Sequence, residues 1–385
     1  MLLSAADKSW ADETWGKITK KMDWVHKKSG SKIPYTTKNG VHDDKLSAGP
    51  DGVYGWTNGF WPGILWLMYY GTKQESYREA AEGLEIKMDA ALYGTSGRGV
   101  ESLHHDVGFM WELISVAGYR LTGSRDARRR GLIAANYLMS RFQPNAGYFV
   151  AWPEKEHEGW SIVDTMMNLP LLHWASEETG LSRYRDAAML HADKTIANVV
   201  RGDGSVVHIT VYDPQTGEKL ETLAGQGYEV GSSWSRGASW ALYGFALECR
   251  YTKEARYLDA AKRVAHYFIC SIMDDFIPRI DFRQPAEPDY KDTSAGAIAA
   301  CGLLEIAVQA DEWDKPLYLN AAVKILRALE GKCCDWSENE DGILMHGSLA
   351  YHWGGDEDKD YNLVYGDFFF IEAVLKLRGM DICFW

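Results

Sequence analysis

The chain has 385 residues, 46% of them apolar, and a formal charge of −13. That apolar share excludes a disordered chain and supplies a large core. The acidic balance excludes the broad basic surface that nucleic acid or an anionic membrane requires, although a few local cations would still serve an acidic substrate.

Met1 to Lys8 shows no charged segment followed by a long apolar run, so no signal peptide is visible. No window of about 18 uncharged apolar residues exists to span a membrane. The chain therefore reads as a cytoplasmic bacterial protein, unless an export signal has been removed. Its six cysteines, Cys249, Cys270, Cys301, Cys333, Cys334 and Cys383, lack CxxC spacing. They read as buried free thiols rather than a disulfide framework.

Two kinds of stretch alternate along the chain. The first kind is amphipathic, with apolar residues at helical spacing and charges opposite, as in a half-solvated outer helix. It runs from Ala5 to His26, after Tyr77, from Ser124 to Phe142, and after Tyr184, Tyr257 and Tyr318. Four of these share a Tyr-x-x-Ala-Ala opening, as in Tyr184-Arg185-Asp186-Ala187-Ala188. The second kind is rich in Gly and aromatics and apolar nearly all round. It begins near Gly55, His104, Ser161, Trp234, Asp292 and Tyr365, at intervals of about 50 to 75 residues. Six inner and six outer helices predict an all-α (α/α)6 barrel, a single domain over residues 1–385. Ser205 to Tyr212, followed by Asp213-Pro214, predicts a short β-hairpin at one mouth.

In such a ring the polar residues heading the inner helices converge at one end. Trp56, Asp106, Asp164, Arg236, Asp292 and Asp367 are expected to line one cleft, with Trp61, Trp152, Trp160, Trp234 and Trp240 around them. Flat aromatic faces beside carboxylates suit sugar rings, although Trp also simply fills helical cores. Asp106 and Asp164 are the candidate acid–base pair, since paired carboxyls can divide the roles of acid and stabiliser. The competing reading of each is a helix N-cap. Asp164 is the harder to explain that way, lying among Ile162, Val163, Met166 and Met167, with Pro170 expected to reset the helix near Asn168. Arg236 would hold a carboxylate or sulfate, or else pair with Asp106, Asp164 or Asp292. No metal is expected. Placed on a helix, His104, His105 and Asp106 would point about 100° apart and could not close on one ion. No nucleophile elbow and no phosphate loop is present, so no cofactor is expected.

Taken together, Gly55-Trp56-Thr57-Asn58-Gly59-Phe60-Trp61, His104-His105-Asp106-Val107-Gly108-Phe109, Asp164-Thr165-Met166-Met167-Asn168-Leu169-Pro170, Trp234-Ser235-Arg236-Gly237 and Asp292-Thr293-Ser294-Ala295 resemble the unsaturated glucuronyl hydrolases, glycoside hydrolase family 88. The likeness runs from Trp56 to Leu377. It implies an (α/α)6 barrel that takes oligosaccharides ending in a 4,5-unsaturated uronic acid. It also implies Asp164 as general acid and base, Asp106 as its assistant, and no cofactor. Substrate-binding positions implied by the family are Trp56, His105, Trp152, His208, Gln226, Ser233, Trp234, Arg236 and Trp240. The stretch Gly347 to Trp353 is less clearly matched to members that favour sulfated sugars. An unsaturated rhamnogalacturonyl hydrolase on pectin fragments and a sugar 2-epimerase share the barrel and stand as alternatives, as does a noncatalytic glycan-binding barrel. A monomer or weak homodimer is expected.

Overall fold

The computed structural model describes residues 3–272, 274–355, 359–380 and 384–385; Cys383 lies outside the described residues. The chain opens on outer helix α1 (Ala5–Ser29), which starts where Ser4 Oγ accepts the Asp7 N–H at 3.1 Å. That bond satisfies one of the orphan donors of a helix start. Inner helix α2 (Phe60–Thr72) and outer helix α3 (Glu75–Leu92) follow. The next inner element is α4 (Val107–Trp111), continued through a π turn at Glu112–Val116 into α5 (Ala117–Thr122). Outer α6 (Arg125–Ser140), inner α7 (Pro170–Thr179) and outer α8 (Ser182–Asn198) complete the first half. Inner α9 (Ser235–Thr252), outer α10 (Ala255–Ser271), inner α11 (Thr293–Gln309), outer α12 (Lys315–Cys333) and inner α13 (Val364–Leu377) complete the second. With α4 and α5 counted as one, the described residues form six inner and six outer helices. The last inner helix, α13, packs against α11 on one side and α2 on the other, which closes the (α/α)6 barrel.

A repeated turn drives four of the six inner helices into their outer partners. Thr72, Thr122, Thr179 and Thr252 end α2, α5, α7 and α9, and each Oγ1 donates to the carbonyl four residues back at 2.6 to 2.7 Å. The same oxygens accept the N–H two residues on, at 3.2 to 3.3 Å. The residue between, Lys73, Gly123, Gly180 or Lys253, takes a left-handed backbone. One threonine thus satisfies groups at the helix end and bends the chain back.

Inner helices approach closely. A Cβ on Gly244 would lie 2.6 Å from Met166 Cβ, and one on Gly302 would lie 2.3 Å from Leu242 Cδ2. Larger residues at either point would push the ring apart. Among the described cysteines all five are free; Cys249, Cys301 and Cys333 are buried, but Cys270 is exposed and Cys334 half-buried. No helix among the described residues is long and apolar enough to cross a membrane.

Short strands decorate the barrel. The pairs β1 (Thr37–Lys38) with β2 (Val41–His42), and β3 (Phe142–Gln143) with β4 (Tyr148–Phe149), are two-stranded. The expected hairpin exists as β6 (Ile209–Tyr212) and β7 (Lys219–Leu223), turned at Asp213, whose Oδ1 accepts the Gln215 and Thr216 N–H groups at 2.8 Å. It gains a third antiparallel strand, β5 (Trp160–Ile162), registered as Ile162 opposite Ile209. This sheet leads the chain directly into Asp164 and sets His208 beside it.

Candidate active site

The inner helices run parallel, so their N-terminal ends share one mouth of the barrel, and the partial positive charge of those ends favours an anionic occupant. A cavity of about 220 Å³ opens there. Its carboxyls are Asp106 and Asp164, and its aromatic wall includes Trp56, Trp152, Trp234 and Tyr365.

Asp106 sits at the N-cap position of α4, yet its side chain caps no helical N–H. Instead it is buried between two imidazoles, with Oδ2 3.3 Å from His104 Nδ1 and Oδ1 3.1 Å from His105 Nε2. His105 Nδ1 donates to the Ala151 carbonyl at 2.6 Å, which fixes the ring so that Nε2 faces the carboxylate. Burial alone would raise the Asp106 pKa, but His105 and His104 outweigh it and hold the carboxyl well below the usual range. Burial alone would lower that of His105, but the facing Asp106 charge, with a smaller contribution from Asp164, raises it. The two shifts run in opposite directions, Asp106 toward the carboxylate and His105 toward the imidazolium, because each favours the charge of the other.

The expectation that His104, His105 and Asp106 diverge does not hold. They precede α4 on a turn rather than lying on the helix, and one ligand atom from each lies within 4.8 Å of the others. The helical premise failed because α4 starts only at Val107.

Asp164 lies on a 3-10 turn, Val163–Met167, entered from β5. The Val163 N–H donates to the His208 carbonyl at 3.0 Å, so the sheet edge positions the turn. Asp164 Oδ2 has no hydrogen-bond partner among the described residues; His208 Nε2 faces it at 3.5 Å. His208 Nδ1 accepts the Gln226 N–H at 2.9 Å, which leaves the ring proton on the nitrogen that faces Asp164. Pro170 opens α7 afresh, as a proline at a first helical position should.

Asn168, buried between the two acids, was not among the expected site residues. Its Nδ2 donates to Asp106 Oδ1 at 3.3 Å and to the Asp164 carbonyl at 3.2 Å, while its Oδ1 accepts the Phe109 N–H at 2.8 Å. One amide thus ties α4 to the 3-10 turn.

Of the residues expected to bind substrate, Trp56, His105, Trp152, Gln226, Trp234 and Arg236 line the cavity. His208 stands behind Asp164. Arg236 takes the ion-pair alternative. Its Nη1 donates to Asp292 Oδ2 at 2.5 Å and to the Ser348 carbonyl at 2.5 Å, and its Nη2 to the Leu349 carbonyl at 2.6 Å. It also lies over Trp234, 4.5 Å from the ring centroid. Gln226 Nε2 reaches the same Leu349 carbonyl at 2.7 Å. These bonds bring the 348–353 segment to the cavity, where Leu349 and Trp353 join the wall.

Other expected residues lie elsewhere. Ser233 is buried, its N–H donated to Asp281 Oδ1 at 3.0 Å. Asp281 also accepts from Tyr228 N–H and Ser232 Oγ, and so organises the loop that presents Gln226 and Trp234. Trp240 sits one helical turn below Arg236, fully buried against Phe109 and Phe369. Trp61 is buried with Nε1 donating to the Ser29 carbonyl. Trp160 packs on Trp152 and His157 outside the cavity wall. Asp292 caps α11 through the Ser294 N–H and pairs with Arg236. Asp367 lies within α13, where it accepts the Ile343 and Leu344 N–H groups; burial pushes its pKa up to about 6.

Comparison with known proteins shows the family. The model of Glycosyl Hydrolase Family 88 matches residues 24–373. The chain is 38% identical over 366 residues to the unsaturated glucuronyl hydrolase of Bacillus sp. (strain GL1), covering 93% of this chain and 94% of that protein. It is 34% identical over 332 residues to the unsaturated chondroitin disaccharide hydrolase of Streptococcus pyogenes serotype M1, covering 83% and 80%. The crystal structure of unsaturated glucuronyl hydrolase from Streptococcus agalactiae superposes with a TM-score of 0.87 at 30% identity, covering 100% of this chain and 95% of that one.

Proposed function

This chain belongs to glycosyl hydrolase family 88, and on that premise we propose that it removes a 4,5-unsaturated uronic acid from the non-reducing end of glycosaminoglycan fragments. One observation carries the reading: two carboxyls of unlike surroundings, Asp106 and Asp164, meet in one tryptophan-walled cavity. Environments that separate two carboxyls assign their roles.

The substrate's C4=C5 bond is a vinyl ether. Asp164 donates a proton to C4, which leaves an oxocarbenium-like C5. Water then adds to C5, its proton taken by the same Asp164, now ionised. The resulting hemiketal opens to a keto group at C5, and the neighbouring sugar departs from C1 with the hydrogen it needs. Asp106, anionic between its two histidines, binds the sugar hydroxyls and favours the developing positive charge. Asn168 holds the two acids in register. Because water attacks C5 and not the anomeric carbon, the spacing rule for two glycosidase carboxyls does not apply.

The test is turnover of an unsaturated chondroitin or hyaluronan disaccharide in heavy water. One deuterium appears at C4 of the product, and Asp164→Asn abolishes the loss of ultraviolet absorbance. An unlabelled C4, or equal cleavage of a saturated uronide, overturns the reading.

A further inference from the structure

Tyr365 is the second residue of α13, fully buried, and part of the cavity wall. Its ring is fixed by Trp56, with centroids 5.1 Å apart, and by Phe60 at 5.9 Å. The Arg236 guanidinium lies 5.4 Å from its centroid. Yet the Tyr365 hydroxyl has no hydrogen-bond partner among the described residues. A buried, unbonded hydroxyl costs about 1 to 3 kcal/mol, so native proteins rarely keep one without a use.

The surroundings indicate what the missing partner is. The charged groups nearest in effect to Tyr365 are Arg236, Asp292 and Asp164, with the Tyr35 phenol beside them. Burial, only partly offset by Arg236, raises the Tyr365 pKa well above its ordinary value, so the group remains a neutral O–H donor. What it lacks is an acceptor. Arg236 is not a free cation here, since Asp292 balances its charge and the Ser348 and Leu349 carbonyls take further N–H groups.

Resting on the function proposed above, we propose that Tyr365 binds the carboxylate of the unsaturated uronic acid, donating its hydroxyl hydrogen beside the charge-balanced Arg236. This arrangement has a chemical consequence. The carboxylate is attached to C5, the carbon that becomes electron-poor when C4 is protonated. A full countercharge would cancel the anion's help at C5. A neutral phenol beside a neutralised guanidinium orients the carboxylate and leaves its negative charge available to the oxocarbenium-like carbon. Tyr365 is then a substrate-contacting specificity residue, and an aromatic wall alone would not serve in its place.

The experiment is Tyr365→Phe, which keeps the ring and deletes only the hydroxyl. Dissociation constants are measured in the Asp164→Asn background, with and without Tyr365→Phe, for the unsaturated disaccharide and for its uronate methyl ester. The expected result is a loss of about 10-fold to 100-fold on the acid, the range of one hydrogen bond to a charged group, with little change on the ester. Equal losses on acid and ester, or none on the acid, overturn the proposal. Because the hydroxyl bonds nothing among the described residues, Tyr365→Phe should melt at or above the parent temperature; a marked fall would reveal a structural partner and also overturn it. Turnover by the unsubstituted enzyme is measured alongside. If it fails on unsaturated disaccharides the proposed function falls, whereas normal turnover with an unaffected Tyr365→Phe variant removes only the carboxylate assignment.

Discussion

Asn168→Asp exchanges one nitrogen for one oxygen and reverses the logic of the site. In the native protein Nδ2 donates to Asp106 Oδ1 across 3.3 Å. In the variant two carboxylates would face each other at that separation. With an effective dielectric constant near 20, two like charges at 3.3 Å repel by about 5 kcal/mol. No packing change of one atom relieves that, so the pair takes up a proton, and Asp106 is no longer reliably anionic. The expected result is a fall in kcat/KM of at least about 100-fold at neutral pH, the scale of losing one oriented electrostatic group. The sign of the stability effect follows from linkage. The folded variant binds a proton that its unfolded chain releases, so its stability is complete below the ordinary carboxylate pKa and declines as pH rises. The melting deficit against the parent should therefore widen from about pH 5 to about pH 8, by at most about 1.4 kcal/mol per pH unit. Asn168→Ala supplies the contrast. It strands the buried Phe109 N–H, at a cost of about 1 to 3 kcal/mol, with no such pH dependence. Absorbance loss of the unsaturated disaccharide and thermal unfolding followed by circular dichroism measure both quantities. Activity within threefold of the parent, together with a pH-independent melting deficit, would refute the bridging role.

Two further outcomes test the packing. Glu112, in the π turn, is fully buried, and burial raises its pKa well above the ordinary value, against the opposing Arg120 charge and Leu171 backbone. Its favourable contribution is complete below the unfolded carboxyl pKa and is lost as pH rises toward the folded one. Glu112→Gln does not titrate, so its urea midpoint should gain on the parent with rising pH; parallel curves would remove the assignment. Trp240→Phe should leave KM within twofold while lowering stability by about 1 to 3 kcal/mol, since Trp240 fills the core beneath Phe109. A raised KM would return Trp240 to the sugar site.

The legible parts of this chain are those whose signal is local. The alternation of two helix types repeats along the sequence, and the threonine turns at Thr72, Thr122, Thr179 and Thr252 carry the same repeat in a form the periodicity alone does not reveal. Asp106 and Asp164 stand out because each opens an apolar run. Asn168 does not, since its importance depends on partners about 60 residues away along the chain, namely Asp106 and Phe109, with |i−j| of 62 and 59. Nor does Tyr365, whose unbonded hydroxyl matters only because the fold sets it in the cavity wall beside Arg236. Trp240 was misplaced for a simple reason: one turn down an inner helix moves a side chain from the mouth into the core.

Asp292 and Asp367 show the deeper difficulty. An aspartate near the head of an inner helix can face the cavity, cap the helix or anchor a neighbouring loop, and the residue type is the same in each case. Backbone regularity distinguishes them. Inner helices α2, α9, α11 and α13 run without interruption, and Asp292 and Asp367 on two of them are consumed by N–H groups or by Arg236. The two segments that bring acids into the cavity both depart from α geometry. The helix behind Asp106 is broken by the π turn at Glu112–Val116, and Asp164 rides on a 3-10 turn that ends before Pro170 restarts the chain as α7. Such departures persist where the surrounding structure enforces them, and they concentrate at functional sites. In this barrel, then, the irregular inner elements hold the two acids, and the regular ones hold the ring and bring Arg236 and Tyr365 to the cavity wall.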